Sequence, residues 1–417
     1  YPHLSSLLTP IAMRNLSFLW KILVLASFVH ADWIDPDTPE SARTTFSLVI
    51  DESKHSLHYT VPGTNTTLPL TYVDKSRKGK IFQLVMSDEF NIPGRSFDDG
   101  KDPKWTALDK NDYTNDALHY YSPANVHTND EGELEIIAEA ANTEVVGFDD
   151  LKRKKTHVTK HFKSGMLQGW NKFCFTGGII EAEVNLPGYA DIGGLWPSFW
   201  LLGNFARHTY VGSSSHLWPF SSHTCNAFTR HSQLISGCNR RPHYGFEERF
   251  GRGAPEIDIF EVQPGPVKKN MGQYLRSFVG QPFLSASYQF APGKPSRPGD
   301  GWWPGPGQWY DGAAIGNDTC LNIVFYGTYN SFLSDTSPAQ AYWSDALSYN
   351  HQLNEQHFSK PHVYRLEWGL PNDAGENITN SLDSGYLNWF IDGELVLSFN
   401  GTTLREAGLG AEISSEP

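Results

Sequence analysis

Ala254-Pro-Glu-Ile-Asp-Ile-Phe-Glu-Val262 is the stretch on which the fold of this chain turns. It is rich in Ile, Val and Phe and is bounded by Gly253 and by Pro264-Gly265, which predicts a β-strand. Alternate residues of a strand share a face, so Glu256 and Asp258 stand together while Ile257 and Ile259 take the other side. Regular continuation would set Phe260 among the acids and bury Glu261 among the isoleucines, a costly place for an unpaired carboxylate. One extra residue near Ile259-Phe260, a β-bulge, returns Glu261 to the acidic face and sends Phe260 to the core. Three carboxyls then form a row with a glutamate at each end. Two carboxyl groups about 5–5.5 Å apart suit a retaining glycosidase, one as nucleophile and one as acid/base. The plainer reading is a solvated acidic edge strand, for which this segment is too apolar.

Two neighbouring stretches favour the sharper reading. Residues 193–203, Gly-Gly-Leu-Trp-Pro-Ser-Phe-Trp-Leu-Leu-Gly, predict a strand with Trp196, Ser198 and Trp200 on one face and Phe199 and Leu201 on the other. Residues 177–186 alternate without error, with Glu181, Glu183 and Asn185 opposite Ile180, Ala182, Val184 and Leu186. Tryptophans on a polar strand face suit stacking against sugar rings, whose C–H faces are apolar and whose rims hydrogen-bond. The alternative is that both tryptophans belong to the core. Beside an acidic strand the sugar-binding reading gains, and Glu181 joins Trp196 and Trp200 as a candidate for contact with substrate.

Glu256-Ile-Asp-Ile-Phe-Glu261 resembles the E-x-D-x-x-E signature of glycoside hydrolase family 16, in the bulged form of laminarinase-like members. Several stretches resemble the β-glucan synthesis-associated proteins of fungi and other walled microbes. They are Ser87-Asp-Glu-Phe-Asn91, Gly94-Arg-Ser-Phe97, Trp170-Asn-Lys-Phe-Cys-Phe-Thr-Gly178, Gly194-Leu-Trp-Pro-Ser-Phe-Trp200 and Gly253-Ala-Pro-Glu256. The similarity spans roughly 81–417. It implies that Glu256 is the nucleophile, Glu261 the acid/base, and Asp258 the residue that tunes and orients Glu256. It also implies a concanavalin-like jelly-roll β-sandwich with a concave glucan-binding cleft and long loops, and a further apolar strand beyond Pro417.

Composition suits a secreted carbohydrate-active domain. The chain of 417 residues has 13 tryptophans, 37 glycines and 26 prolines, so aromatic surface and turns are plentiful. A net charge of −13 disfavours nucleic acid or an anionic membrane surface as partner. Met13-Arg14 followed by an apolar run to Val29, with Val29-His30-Ala31 as cleavage site, predicts a signal peptide over 13–31 or, alternatively, a signal anchor. Residues 1–12 precede the first methionine and are expected to be non-native upstream sequence; 32–80 form an N-terminal extension, and the domain over 81–417 is expected to be truncated at its C-terminus. The expected location is the secretory pathway, in the cell wall or outside the cell, or anchored in a membrane by a tether outside this chain. Nothing sets an oligomeric state. Sequons at Asn65, Asn317, Asn377 and Asn400 are candidate glycosylation sites. Four cysteines fit two disulfides in an oxidising compartment. Three pairings are open. Cys225–Cys238 is preferred because it closes a short loop, leaving Cys174–Cys320 by subtraction.

Strands are expected at 81–89, 132–138, 178–186, 196–202, 255–262, 285–290, 321–326, 362–368, 387–391 and 394–399, with Asp392-Gly393 as a hairpin turn. That many strands without a long amphipathic helix make an all-β sandwich. Long irregular segments interrupt it at 203–253 and 291–316. The first carries His208, His216, His223, His231 and His243 at spacings matching no zinc site, so no metal or other cofactor is expected. The second holds Trp302 and Trp303, read as a wall of the cleft rim that meets substrate. The expected function is a retaining β-glucan hydrolase or transglycosylase acting on cell-wall β-1,3/1,6-glucan. A non-catalytic glucan-binding or scaffold protein of wall assembly is the alternative.

Overall fold

The alternation that marks the strands also decides which way each side chain faces. The computed structural model describes residues 19–27, 58–60, 67–69, 71–74, 80–112, 117–149, 154–204, 206–209, 235–236, 251–252, 254–265, 281–290, 313–322, 345–369 and 385–407. The chain divides into two compact units, Tyr1–Trp20 with Phe90–Lys172 and Lys21–Glu89 with Phe173–Pro417.

The second unit is a two-sheet sandwich. Its strands are β1 (Leu19–Ser27, from Lys21 onward), β2 (Thr71–Asp74), β3 (Lys80–Asp88), β4 (Gly178–Asn185), β5 (Ser198–Leu202), β6 (Glu256–Gln263), β7 (Phe283–Phe290), β8 (Ala314–Ile315), β9 (Thr319–Leu321), β10 (Asp345–Gln352), β11 (His362–Gly369), β12 (Tyr386–Ile391) and β13 (Glu394–Phe399). The front sheet runs β5-β6-β7-β10-β9 and all its pairs are antiparallel. The back sheet runs β8-β13-β12-β11-β4-β1, with β3 beside β1 and β2 beside β3. β1 falls inside the segment expected to be a signal peptide.

Between the sheets lies an aromatic core. Phe260 of β6 meets Tyr364 of β11 at 4.7 Å between ring centroids, and Phe399 of β13 meets both Tyr349 of β10 at 5.7 Å and Trp389 of β12 at 5.3 Å. Burying each such side chain contributes about 1.5–3 kcal/mol. Asp392 and Gly393 both have positive φ, 50° and 83°, which suits the two-residue turn between β12 and β13 and needs no β-carbon at Gly393. Among the described residues the only α-helix is Gly401–Ala407, capped by Asn400, whose Oδ1 accepts from Thr402 N at 3.0 Å and Thr403 N at 3.1 Å. No helix among the described residues is long and apolar enough to cross a membrane.

In the first unit a long hairpin, Glu139–Asp149 with Lys154–Ser164, adds His119–Tyr121 in parallel. Phe90, Phe97 and Trp105 pack together, with the Arg95 guanidinium over the Phe97 ring at 5.1 Å. Asp102 ties this cluster down: Oδ2 accepts from Arg95 Nε, and Oδ1 accepts from Lys104 N at 2.8 Å and Trp105 N at 2.9 Å.

The expected all-β class holds. The hairpin and β10 are additions to the expected strands, and β5 begins at Ser198 rather than Trp196. Most of the segments 203–253 and 291–316, with Trp302, Trp303, Cys225, Cys238 and four of the histidines, lies outside the described residues, as do Asn65 and Asn377. Asn317 and Asn400 are exposed.

Candidate active site

The acids stand on β6, and the register of β6 against its neighbours breaks where the alternation fails. Against β7, Glu256 pairs with Gln289 and Asp258 with Ser287; the register then shifts, and Glu261 pairs with Ser285. Against β5, Asp258 pairs with Trp200 and Glu261 with Ser198, with Phe199 opposite Phe260. This is the expected bulge at Ile259-Phe260. Ile257, Ile259, Phe260 and Val262 are buried in the core, and Glu256, Asp258 and Glu261 share the opposite face.

The row continues across the sheet in hydroxyls and amides. Ser287 Oγ lies 2.7 Å from Ser348 Oγ, Ser285 Oγ lies 3.2 Å from the same hydroxyl, and Asn322 Nδ2 donates to Ser348 Oγ at 3.0 Å. Gln289 Nε2 donates to Glu256 Oε1 and to Asp258 Oδ2, each at 3.1 Å. On the other side stand Trp200, whose ring meets His208 edge-on at 5.3 Å, and Trp196, 51% exposed, whose indole N–H donates to Glu261. Aromatic surface thus flanks the acids on the β5 side and a polar floor flanks them on the β7 side.

Electrostatics set the three acids apart. Asp258 is fully buried, and burial pushes its carboxyl well above the usual carboxylate range; the Glu256 charge and a hydrogen bond with Glu256 push the same way, opposed by Gln289. Glu261 keeps part of its surface exposed, yet burial of its carboxyl, then the Asp258 charge, raise it well above its ordinary value against the Trp196 hydrogen bond. Asp258 and Glu261 are therefore both biased towards their protonated forms, and the hydrogen bond between the Asp258 and Glu256 carboxyls requires one proton between them. Such an arrangement sets a hydrogen-bonded carboxyl pair at one end of the row and, at the other, a carboxyl biased towards holding a proton.

Glu181 does not belong to this group. It lies on β4 of the back sheet, pairs in register with Arg365, and faces away from the core-facing Ala182 and Tyr364. Its carboxylate stands 3.7 Å from Arg365 Nη1, in an ion-paired outer face with Glu367. Alternation had separated its two faces correctly but could not say to which sheet the strand belongs. The Cys174–Cys320 bridge is likewise absent: Cys174 is an exposed free thiol donating to Asn204 Oδ1 at 3.3 Å, whereas Cys320 is buried on β9. Subtraction paired two cysteines whose surroundings differ. Among the described residues no group of three or more His, Cys, Asp or Glu is placed to hold a metal. Gln289 and the serines of β7 and β10 are additions. Leu284, Ala286, Tyr288 and Phe290 alternate with Ser285, Ser287 and Gln289, and that pattern is the signal that marks them.

A sequence model of the beta-glucan synthesis-associated protein SKN1/KRE6/Sbg1 family matches residues 64–417. The chain is 30% identical over 407 residues to beta-glucan synthesis-associated protein SKN1 of Saccharomyces cerevisiae, covering 93% of this chain and 42% of that protein. It is 29% identical over 409 residues to KRE6 of the same yeast, covering 94% and 45%. It spans less than half the length of these relatives. Solved structures similar to it include endo-beta-1,3-glucanase from Pyrococcus furiosus, with a TM-score of 0.38 and 17% identity over 81% of each chain. Laminarinase from Flavobacterium sp. UMI-01 has a TM-score of 0.36 and 16% identity over 80% of this chain and 84% of that one. The match over 64–417 takes in the whole acid row and both flanking strands: the chain belongs to the SKN1/KRE6/Sbg1 family of beta-glucan synthesis-associated proteins.

Proposed function

We propose that this chain carries the active site of a retaining β-glucan hydrolase or transglycosylase that acts on β-1,3/1,6-glucan during cell-wall assembly, in the secretory pathway or at the cell exterior. The observation that carries the reading is the bulged row on β6, which puts Glu256, Asp258 and Glu261 on one face, with Glu256 hydrogen-bonded to Gln289 and the Glu261 carboxyl raised by burial. Membership of a β-glucan synthesis-associated family supports a β-glucan as the polymer.

In this mechanism a Glu256 oxygen attacks the anomeric carbon of a bound glucan while Glu261 gives its proton to the departing glycosidic oxygen. The C–O bond breaks and a glycosyl ester forms on Glu256. Glu261, now a carboxylate, takes a proton from water or from a hydroxyl of a second glucan. The oxygen so activated bonds to the anomeric carbon and releases Glu256. Water gives hydrolysis; a sugar gives chain remodelling. Trp196 and Trp200 offer stacking surface for the sugar rings.

One observation favours a second reading, a non-catalytic glucan-binding or scaffold protein: Glu256 and Asp258 are almost wholly buried. A reducing-end assay on laminarin, with glucan binding measured in parallel, separates the two. Turnover by the wild type that disappears in Glu256→Gln supports the enzyme. Binding by both proteins without turnover by either supports the scaffold.

A further inference from the structure

Gln289 stands opposite Glu256 in the β6–β7 register and is buried with it. Its Nε2 reaches Glu256 Oε1 and Asp258 Oδ2 at the same distance, 3.1 Å. An amide nitrogen carries two hydrogens and accepts nothing, so each carboxyl takes one N–H. The reverse orientation would turn the amide oxygen towards two acceptors, which fixes the side chain as it stands. Ser287, the residue opposite Asp258, turns instead to Ser348 and Ser285. Two adjacent buried carboxyls cannot both ionise readily, and one retains a proton. Which one does so depends on the donors that each charge meets.

We infer that Gln289 is a positioning residue that clamps Glu256 and Asp258 as a pair sharing one proton and stabilises the single negative charge of that pair. The inference rests on the assignment of Glu256 as nucleophile. In the apolar surroundings a donor to the charged form counts for more than it would in water. The clamp also survives the reaction: once one Glu256 oxygen is esterified, the other remains an acceptor for the amide N–H. Glu261 is the other titratable group on this face of β6. The neighbours on β5 (Ser198, Trp200, Leu202), β7 (Ser285, Ser287) and β10 (Ala346, Ser348, Asn350) are neutral, and His208 packs against Trp200.

Two variants move the charge in opposite directions. Gln289→Leu keeps the bulk and removes both donors; Gln289→Lys supplies a cation to the same two carboxyls. The acid limb of kcat/KM on a laminari-oligosaccharide, which reports ionisation of Glu256, should move up by about one pH unit in Gln289→Leu and down in Gln289→Lys. In Gln289→Leu kcat should fall about 100-fold while KM changes less than threefold. A residue that merely packs would not shift the limb in opposite directions. Titration of carboxyl-labelled Glu and Asp by carbon NMR reads the same pair without turnover. Displacement of the coupled Glu256–Asp258 titration upwards in Gln289→Leu and downwards in Gln289→Lys supports the clamp, and unchanged titrations in folded variants overturn it. Absence of wild-type turnover would count against Glu256 as nucleophile while leaving the NMR titration to decide the clamp.

Discussion

Trp389 Nε1, on the back sheet, donates to the main-chain oxygen of Asp258 on the front sheet at 2.9 Å, through the core of the sandwich. The bond meets β6 beside the bulge that interrupts its ladder with β7, so a buried carbonyl next to the irregularity has a donor from the opposite sheet. A core tryptophan thereby ties the backbone of the central acid to the opposite sheet. Trp389→Phe keeps most of the packing and removes the donor. It should cost about 1–3 kcal/mol in urea denaturation, the scale of an unsatisfied buried acceptor, and lower kcat on laminarin more than it alters KM. A variant of wild-type stability and rate would show that the bulge stands without this support.

The two end glutamates should respond differently to an added nucleophile. Glu256→Ala should lose turnover, and azide should not restore product of retained configuration. Glu261→Ala should be rescued by azide on a substrate with a good leaving group, giving a β-glycosyl azide, because glycosylation then needs no proton and azide replaces the activated water. Inversion of configuration by the wild type would sink the mechanism.

Trp196 and Trp200 share the cleft reading but not the same surroundings. Trp196 is half exposed and precedes β5, so Trp196→Ala should weaken glucan binding by about 1–3 kcal/mol with little loss of stability. Trp200 stacks edge-on with His208 and pairs with Asp258, so Trp200→Ala should lose both binding and stability. Calorimetric titration with laminari-oligosaccharides beside thermal melts separates these effects. Normal binding by both folded variants would return the two tryptophans to a structural role.

Glu261 should limit stability at neutral pH. Its folded carboxyl is held well above the ordinary value of 4.5, first by burial. The unfolded chain therefore ionises more readily, and the stability present below that ordinary value is lost as pH rises towards the folded one. Glu261→Gln cannot ionise. Its melting temperature should exceed that of the wild type near pH 7, and the difference should vanish near pH 4. A constant difference across that range would show that the gain does not come from ionisation.

His357 works in the opposite sense. Burial, then the stacked His362 ring 4.0 Å away, hold it down at about 4, and its Nδ1 lies 2.9 Å from the Tyr364 hydroxyl. Asp392 opposes the fall, while His351 and Lys360 add to it. Its neutral form is favoured in the folded chain, so stability is present above the unfolded value of 6.5 and is lost as pH falls from there towards about 4. In His357→Gln the loss of stability between about pH 6.5 and pH 4 should be smaller than in the wild type, as read by urea midpoints. Parallel pH profiles of the two proteins would exclude His357 as the source.

The acid row was legible because its pattern contains its own irregularity. Glu256 and Asp258 obey a period of two and Glu261 breaks it, and the high cost of burying a lone carboxylate turns that break into a bulge. The hairpin Glu139–Asp149 with Lys154–Ser164 escaped for the opposite reason. Its faces mix polar and apolar residues, with Val145 and Val146 on opposite sides and Lys160 buried, so little hydrophobic periodicity is left to read. β10 did alternate, with Ala346, Ser348 and Asn350 on one face against Leu347 and Tyr349 on the other, yet its polar members are as buried as its apolar ones. Their burial reflects the floor of the site, which no local pattern records.

The sequence by itself determined the all-β class, the bulge in β6 and the faces on which the three acids and their core partners lie, because those follow from alternation within one segment. Only the tertiary structure decided which strands became neighbours. Gln289 reaches Glu256 from 33 positions away, Trp389 reaches Asp258 from 131, and Glu181 was carried to the opposite sheet. Alternation gives each residue one of two directions. Which residues meet there depends on strand order, which is set by the burial of the whole core and not by any stretch of the chain alone.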